Sequence, residues 1–356
     1  MPDQQHPSLV WLPKAENAPV GLADLWTAYK LRWKRRRLLL RAFRARHQLD
    51  AVADRTADIQ AGHVLAAMTV RNEIDRLPYF LQHHRRMGIN HFLIVDNDST
   101  DGTRDYLAGQ PDVSLWRTAH SYRQSRFGMD WLTYIQGRYA HGHWCLTLDA
   151  DEIFTFAHCD SRDLHALTAW LDARSAPAMM ALMLDLYPTG PIGAQPYAPG
   201  QDPVDILPWF DAGNYFTEIQ PKLRNLWVRG GVRARYFFAD DPARAPTLNK
   251  IPLVKWNRRH VYFNSTHTIL PRPLNQIYLR DDLPTGILLH TKFLPVVVEK
   301  SVEEKVRKEH FNNAAQYQGY YDGLIAAPDL WHEGAQRYTG WKQLESLGLM
   351  SQGDWT

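Results

Sequence analysis

Between His63 and Leu184 the chain alternates short apolar runs with helical patterns, and this rhythm limits the folds open to it more than any other feature. Val64–Val70 and residues 91–95, 113–116, 143–148 and 178–184 are apolar stretches of strand length. Residues 75–87, 128–139 and 163–173 read as helices, the first with Leu77, Phe80 and Leu81 on one side and Gly88 as its C-cap, and a shorter helix ends near Ala108. Strands alternating with helices make βαβ units, and hence an α/β fold with a mostly parallel sheet flanked by helices. Such crossovers are right-handed, so the carboxyl ends of the strands share one edge, where ligands of open α/β sheets sit.

The regular pattern breaks at 188–213, where six Pro and four Gly predict a long functional loop or lid. Strands return at 253–256 and 261–264, and a helix at 302–317 precedes an aromatic tail. The chain therefore divides into a loose leader (1–24) carrying Pro2, Pro7, Pro13 and Pro19, a basic helical segment (25–60), the regular α/β half (61–186), a loop-rich second half of the same domain (187–300) and a C-terminal helical region (301–356). No apolar run approaches the ~18 to 20 residues that cross a bilayer, and the leader lacks a secretory signal, so a cytoplasmic protein is expected. Two cysteines, Cys145 and Cys159, exclude a disulfide framework and a zinc knuckle, and 13 Trp, 16 Tyr and 13 Phe exclude a disordered chain.

The formal charge of +3 hides an asymmetry. Nine Lys and Arg and no acid lie between Leu25 and Leu49, so the rest of the chain holds 32 cationic residues against 38 acidic ones. Trp26, Tyr29, Trp33, Leu40 and Phe43 recur at helical spacing in this run, interrupted by Arg37, and the run contains no Pro or Gly. It reads as a basic amphipathic helix with two readings. The helix adsorbs to an anionic membrane surface, peripheral to the inner face, where each Lys or Arg contributes up to about 1 kcal/mol and Trp favours the interface; or it packs its aromatics on the body of the protein. No nucleic-acid partner is expected, since no recognition motif accompanies the charge.

The sharpest chemical signal is Asp149-Ala150-Asp151-Glu152, into which the apolar strand 144–148 runs directly. Two Asp one residue apart in extended chain point the same way at about 6 to 7 Å, which suits a hydrated Mg²⁺ or Mn²⁺ and its diphosphate ligand. Such an ion neutralises charge on a departing nucleoside diphosphate, so the reaction implied is transfer of the attached group. Three carboxylates crowded at a core edge also need a compensating cation. The strand at 91–95 runs into Asp96-Asn97-Asp98-Ser99-Thr100-Asp101-Gly102-Thr103, where Asp96 and Asn97 offer acceptors and an amide to a nucleobase and ribose, and the first strand ends in Thr69-Val70-Arg71-Asn72-Glu73.

Together these strand ends, reading TxRNE, VDNxSTDGT and DxDE, resemble glycosyltransferase family 2 and its relatives of the GT-A fold, over residues 64–156 or about a quarter of the chain. The resemblance implies a GT-A-type, Rossmann-like sheet with an added C-terminal acceptor region. It also implies an inverting, hexosyltransferase-like enzyme of bacterial cell-surface polysaccharide synthesis. A nucleotide-diphosphate sugar, UDP-linked as the first expectation, would lie across the strand ends and pass its sugar to a saccharide or lipid-linked acceptor. Carried over, Thr69, Arg71, Asn72, Glu73 and Asp96 contact the nucleoside, with Asn97 standing where the commoner pattern has a second acid, and Asp149 and Asp151 hold Mn²⁺ or Mg²⁺.

A late His completes the metal shell in some GT-A enzymes, which makes His290, more than His267, the candidate third ligand against the alternative of a hydrogen-bonded core histidine. Inverting relatives take their general base several dozen residues after the paired acids. Glu218, Asp240 or Asp241, and Glu152 are the candidates, each otherwise a surface carboxylate. Lys292, Arg126 and Arg233 are the cations considered for the diphosphate. Two other readings compete: a nucleotidyl- or phosphoryl-transferring enzyme on a similar sheet, for which a Walker loop is missing, and a non-catalytic binding module using the basic helix, which leaves the edge carboxylates unexplained.

Overall fold

The computed structural model describes residues 21–307 and 318–356. Its main sheet has nine strands, β1 (Asp50–Ala53), β2 (Val64–Val70), β3 (His91–Asp96), β4 (Val113–Arg117), β5 (Trp144–Thr147), β6 (Glu152–Phe156), β7 (Ala178–Asp185), β8 (Asn249–Lys255) and β9 (Gly286–His290). Across the sheet they stand in the order β1, β4, β3, β2, β5, β8, β7, β9, β6. Six of them (β4, β3, β2, β5, β7 and β9) run one way, while β1, β8 and β6 run against them. The sheet is mostly parallel, as the alternating pattern requires.

Helices α1 (Leu22–Ala45), α2 (Leu77–Arg86), α3 (Thr103–Ala108), α4 (Met129–Tyr139) and α5 (Leu164–Ala173) flank it. Successive side chains of a strand face opposite ways, so a strand apolar throughout needs a layer on each side. Val64, Ala66, Met68 and Val70 of β2 share one buried cluster with Leu77, Phe80 and Leu81 of α2 and Leu164, Leu167 and Leu171 of α5. Leu65 and Ala67 turn the other way and join Trp131, Leu132 and Ile135 of α4. Helices of 10 or 11 residues are marginal alone, and burial at about 2 kcal/mol per large side chain is what holds α2, α4 and α5.

The basic segment is a helix that packs on the body, but through residues other than its aromatic stripe. α1 docks through Leu31, Leu38, Ala42 and Ala45, with Asp24 bonded to Arg272 at 2.7 Å and Arg41 to Asp130 at 2.5 Å. The aromatic stripe, which one of the two readings packs on the body, faces out: Trp26, Tyr29, Trp33, Leu40 and Phe43 are all exposed. The helix begins at Leu22, inside the expected leader, whose residues 1–20 lie outside the described residues. Near the other end, α6 (Val296–Arg307) starts earlier than the periodicity suggests, and residues 308–317 of the expected helix also lie outside the described residues.

Residues 188–213 are tied down at several points. Tyr187 N–H donates to Trp209 O at 2.8 Å, Ile192 N–H to Pro328 O at 3.1 Å, and the Tyr79 hydroxyl of α2 to Asp202 at 2.6 Å. This Pro-rich stretch therefore folds back over α2, pinned on one side by residues from the C-terminal region.

Buried histidines give the fold a direction of pH dependence. His84 of α2 places Nδ1 2.8 Å from Phe80 O and accepts from Phe154 N–H at Nε2, 3.4 Å, which requires a neutral ring, and burial holds it well below the ordinary range. Burial, helped by the Lys250 charge, brings His267 down to about 4. Between pH 6.5 and 4 the unfolded chain takes up protons that the native chain refuses, so stability is full above that window and falls as pH drops through it. Compared by urea unfolding between pH 7.5 and pH 5, His267→Gln should remove roughly 1–3 kcal/mol of the stability lost on acidification over the window. A loss that this variant leaves unchanged would contradict the assignment.

Candidate active site

The directions of the strands bring the chemistry to one edge. β2, β3, β5, β7 and β9 deliver Val70, Asp96, Thr147, Asp185 and His290 at their carboxyl ends, while the antiparallel β6 and β8 begin there with Glu152 and with Asn249 and Lys250. Ligands of open α/β sheets occupy this edge.

The acidic tetrapeptide is a turn, which corrects the expectation of an extended chain with both Asp side by side. Glu152 N–H bonds to Asp149 O at 3.1 Å, and the reversal sends Asp149 and Asp151 to different partners. Lys250 Nζ donates to Asp149 Oδ2 at 2.7 Å and to Glu152 Oε1, and Asp149 N–H donates to Glu152 Oε2 at 3.1 Å. Glu152 and Lys250 are both buried. Burial, only partly offset by Lys250, raises the Glu152 carboxyl to about 7, while the two carboxylates overcome burial and keep the Lys250 ammonium charged. The cation that crowded carboxylates need is thus, for two of the three, a lysine of the chain itself.

Asp151 faces His290. Its Oδ2 lies 3.2 Å from His290 Nε2, and its backbone O accepts from Thr291 N–H at 2.7 Å and from the Thr291 hydroxyl at 3.0 Å. On the far side of the ring, Nδ1 lies 2.6 Å from Asp185 Oδ1, which also accepts from Arg233 at 2.6 Å. The second oxygen of Asp185 is buried with no hydrogen-bond partner among the described residues. Burial opposes charge on the ring, but Asp151 and Asp185 raise His290 above its ordinary value; burial likewise opposes the Asp151 carboxylate, and His290, Arg76 and Lys292 hold it well below. A carboxylate behind a histidine fixes its tautomer and aims its other nitrogen.

This pair fits a divalent cation. Adjacent ligands about 2.1 Å from one ion at right angles stand about 3 Å apart, and an oxygen and an imidazole nitrogen suit Mn²⁺ or Mg²⁺ that keeps water and phosphate as its remaining ligands. His290 Nε2 and Asp151 Oδ2 stand at that separation, 3.2 Å. Among the described residues no group of three or more His, Cys, Asp or Glu could hold a metal, and Asp149, expected as a ligand beside Asp151, is engaged by Lys250. The chain would supply two ligands, Asp151 and His290, to such an ion.

The residues carried over for the nucleoside brace the strand ends. Arg71 donates to the carbonyls of Asn97 and Asp98 at 2.7 and 3.0 Å, and the Asn97 amide donates to Thr118 O and His120 O at 3.1 and 3.0 Å. Asn72 takes a left-handed φ of 52° and accepts from Thr100 N–H at 2.8 Å. Asp96 is buried and accepts from Ser99 N–H at 3.2 Å, and burial pushes its carboxyl up. Glu73 is paired with Arg76 at 2.8 Å and Lys300 at 2.5 Å. Thr69 Oγ1 is buried without a partner among the described residues, and it crowds Gly128, where a Cβ would sit 2.6 Å away. These contacts correct the expectation that Arg71 and the Asn97 amide reach outward to a base.

Arg126 is spent on Asp130 at 2.8 Å and on Tyr262 O at 2.8 Å, which removes it from the diphosphate candidates. Lys292 stays, half-buried within electrostatic reach of Asp151, with its ammonium lowered by burial. Of the proposed bases, one is ruled out by burial. Glu152 is fully enclosed and locked to Lys250, so it cannot touch an acceptor. Glu218 stands exposed on a two-stranded ribbon, paired with Arg229 at 3.4 Å, and Asp241 is an exposed neighbour of Arg244 at 3.9 Å.

Lys250, Asp185 and Arg76 escaped the sequence reading. Asp185 ends its apolar run as Asp96 and Asp149 follow theirs, and Lys250 is a lone charge entering the apolar strand Ile251 to Val254, so both had a signal. No protein-family model matches the chain, and no curated protein does. Among solved structures it is similar to S. aureus TarS 1–349 at 10% identity and a TM-score of 0.28, over 74% of this chain and 70% of that one. It is likewise similar to a UTP-bound UGPase from Acinetobacter baumannii at 11% identity and a TM-score of 0.28, over 74% and 99%. At this distance the likenesses assign no residue and no activity.

Removing Lys250 would strand Glu152 without its cation. Lys250→Met should destabilise the protein by about 3–5 kcal/mol, and Lys250→Met combined with Glu152→Gln should recover most of that loss in denaturant unfolding. Additive losses in the double variant would show that the pair is not the coupled unit described.

Proposed function

We propose that the chain is a metal-dependent glycosyltransferase that moves a sugar from a nucleotide-diphosphate donor, UDP-linked in the first instance, to a saccharide or glycolipid acceptor. The observation that carries this reading is the Asp151–His290 pair, 3.2 Å apart at the carboxyl edge of a mostly parallel sheet, with Asp185 fixing the ring from behind. The TxRNE, VDNxSTDGT and DxDE segments supply strand ends of the same edge.

A bound Mn²⁺ or Mg²⁺ would offset charge on the departing nucleoside diphosphate. The chain's own residues do the rest. His290 Nε2 and Asp151 Oδ2 would hold the ion, and Asp185 keeps the ring aimed by accepting at Nδ1. Arg233, buried against Asp185 and His290, keeps that corner from becoming net negative. Lys292 supplies a further positive charge beside Asp151, and the ties from Arg71 and Asn97 hold the β2, β3 and β4 ends at fixed separation for the nucleoside.

Mn²⁺ with UDP should raise the melting temperature more than either alone, because the pair stabilises the native state by RT ln(1 + [L]/Kd), about 2.7 kcal/mol at a hundredfold excess over Kd. Asp151→Asn and His290→Gln should each abolish that cooperative increment and donor turnover, whereas Asp149→Asn should leave the increment in place. An increment that survives His290→Gln would refute the site. Release of nucleoside diphosphate marks glycosyl transfer, and release of pyrophosphate would transfer the site to a nucleotidyl-transferring reaction.

A further inference from the structure

A helix that docks on a protein body ordinarily turns a charged side to water. α1 instead has two apolar faces. At 3.6 residues per turn, Leu31, Leu38, Ala42 and Ala45 line the buried side, and Leu22, Trp26, Tyr29, Trp33 and Leu40 line the side opposite. The outer five are each between 50% and 87% exposed. Trp26 stacks on Tyr29 with centroids 5.6 Å apart, and Tyr29 meets Trp33 at 6.3 Å. Cations border this stripe on both flanks, Arg32 and Arg36 on one and Lys30, Lys34, Arg37 and Arg41 on the other. The helix's one acid, Asp24, is turned inward to Arg272 and Arg224.

On the Arg37 flank the helix borders a cleft of about 1100 Å³ shared with residues 120–126. Lys34, Arg37, Arg41, Arg44, Arg123 and Arg126 line it, against Asp130 as the one carboxylate among the described residues of its lining. Arg41 and Arg126 already neutralise Asp130 at 2.5 and 2.8 Å. The cleft is therefore an anion site in net charge, and it opens beside an aromatic stripe.

We infer that this face of α1 seats the protein on an anionic lipid surface. The Trp26, Tyr29, Trp33 and Leu40 side chains enter the headgroup boundary, and the cleft takes up lipid phosphates. An apolar stripe flanked by Lys and Arg gains from both parts of such a surface at once. A second copy of the chain would bring the two basic flanks together, and a nucleic acid would leave the stripe in water. The inference rests on α1 alone and stands or falls apart from the donor site.

The test is co-sedimentation of the full chain with vesicles of phosphatidylcholine and of phosphatidylcholine mixed with phosphatidylglycerol. The anionic vesicles should bind at least about tenfold more protein, and added salt should weaken the binding. Trp26→Ser with Trp33→Ser, and separately Arg37→Gln with Arg44→Gln, should each lower it about tenfold at an unchanged melting temperature. Equal binding to both vesicles, or to neither, would overturn the inference. So would a dimer in light scattering that Trp33→Ser dissolves, or duplex DNA binding that the Trp variants leave intact while vesicles are not bound.

Discussion

One ammonium group organises the acidic edge of this protein. Lys250 reaches from the start of β8 to Asp149 and Glu152, and it is buried with Glu152. A buried lysine is tolerated only where its charge is met, and buried carboxylates only where theirs is. Each group supplies the other's condition. Because this pairing draws Asp149 and Glu152 to one side of the turn, Asp151 is left to face His290, and an acidic tetrapeptide with three equivalent-looking carboxylates becomes a structure with one differentiated oxygen donor.

The mixed direction of the sheet makes this possible. A wholly parallel sheet would present only carboxyl ends at the edge. Here β6 and β8 run backwards and start at it, so Glu152 and Lys250 enter from the opposite sense of the chain. Register then lines up the remainder: His290 stands opposite Asp185 across the parallel pair β7 and β9, and opposite Glu152 across the antiparallel pair β9 and β6. The two charge clusters, one around Lys250 and one around His290, are set adjacent by backbone pairing, and the turn at 149–152 adds Asp149 to the first and Asp151 to the second.

The elements that position the site were largely legible in the sequence, because a strand buried on both faces must read as an unbroken apolar run. Val64–Val70 and the ends of β3, β4 and β7 fall within a residue of where the runs end. The partners of the motif residues were not legible. Periodicity locates Asp149 and Asp151 but says nothing of Lys250, 101 residues away in the chain, and a turn at 149–152 breaks the assumption of extended geometry that made the two Asp look alike. The strand-end polar residues were found as a group and misread in part, since Arg71 and Asn97 satisfy backbone carbonyls that the ends of parallel strands leave open.

The place of β6 has a consequence for how the chain is made. Glu152–Phe156 forms the border of the sheet and pairs only with β9, whose residues arrive more than a hundred positions later. At ribosomal speeds of roughly 5–20 residues per second, this segment waits on the order of ten seconds for the strand it pairs with. A nascent chain of this protein thus exposes a short, uncharged, β-prone segment until β9 emerges, and that interval is when holdase chaperones have most to offer it.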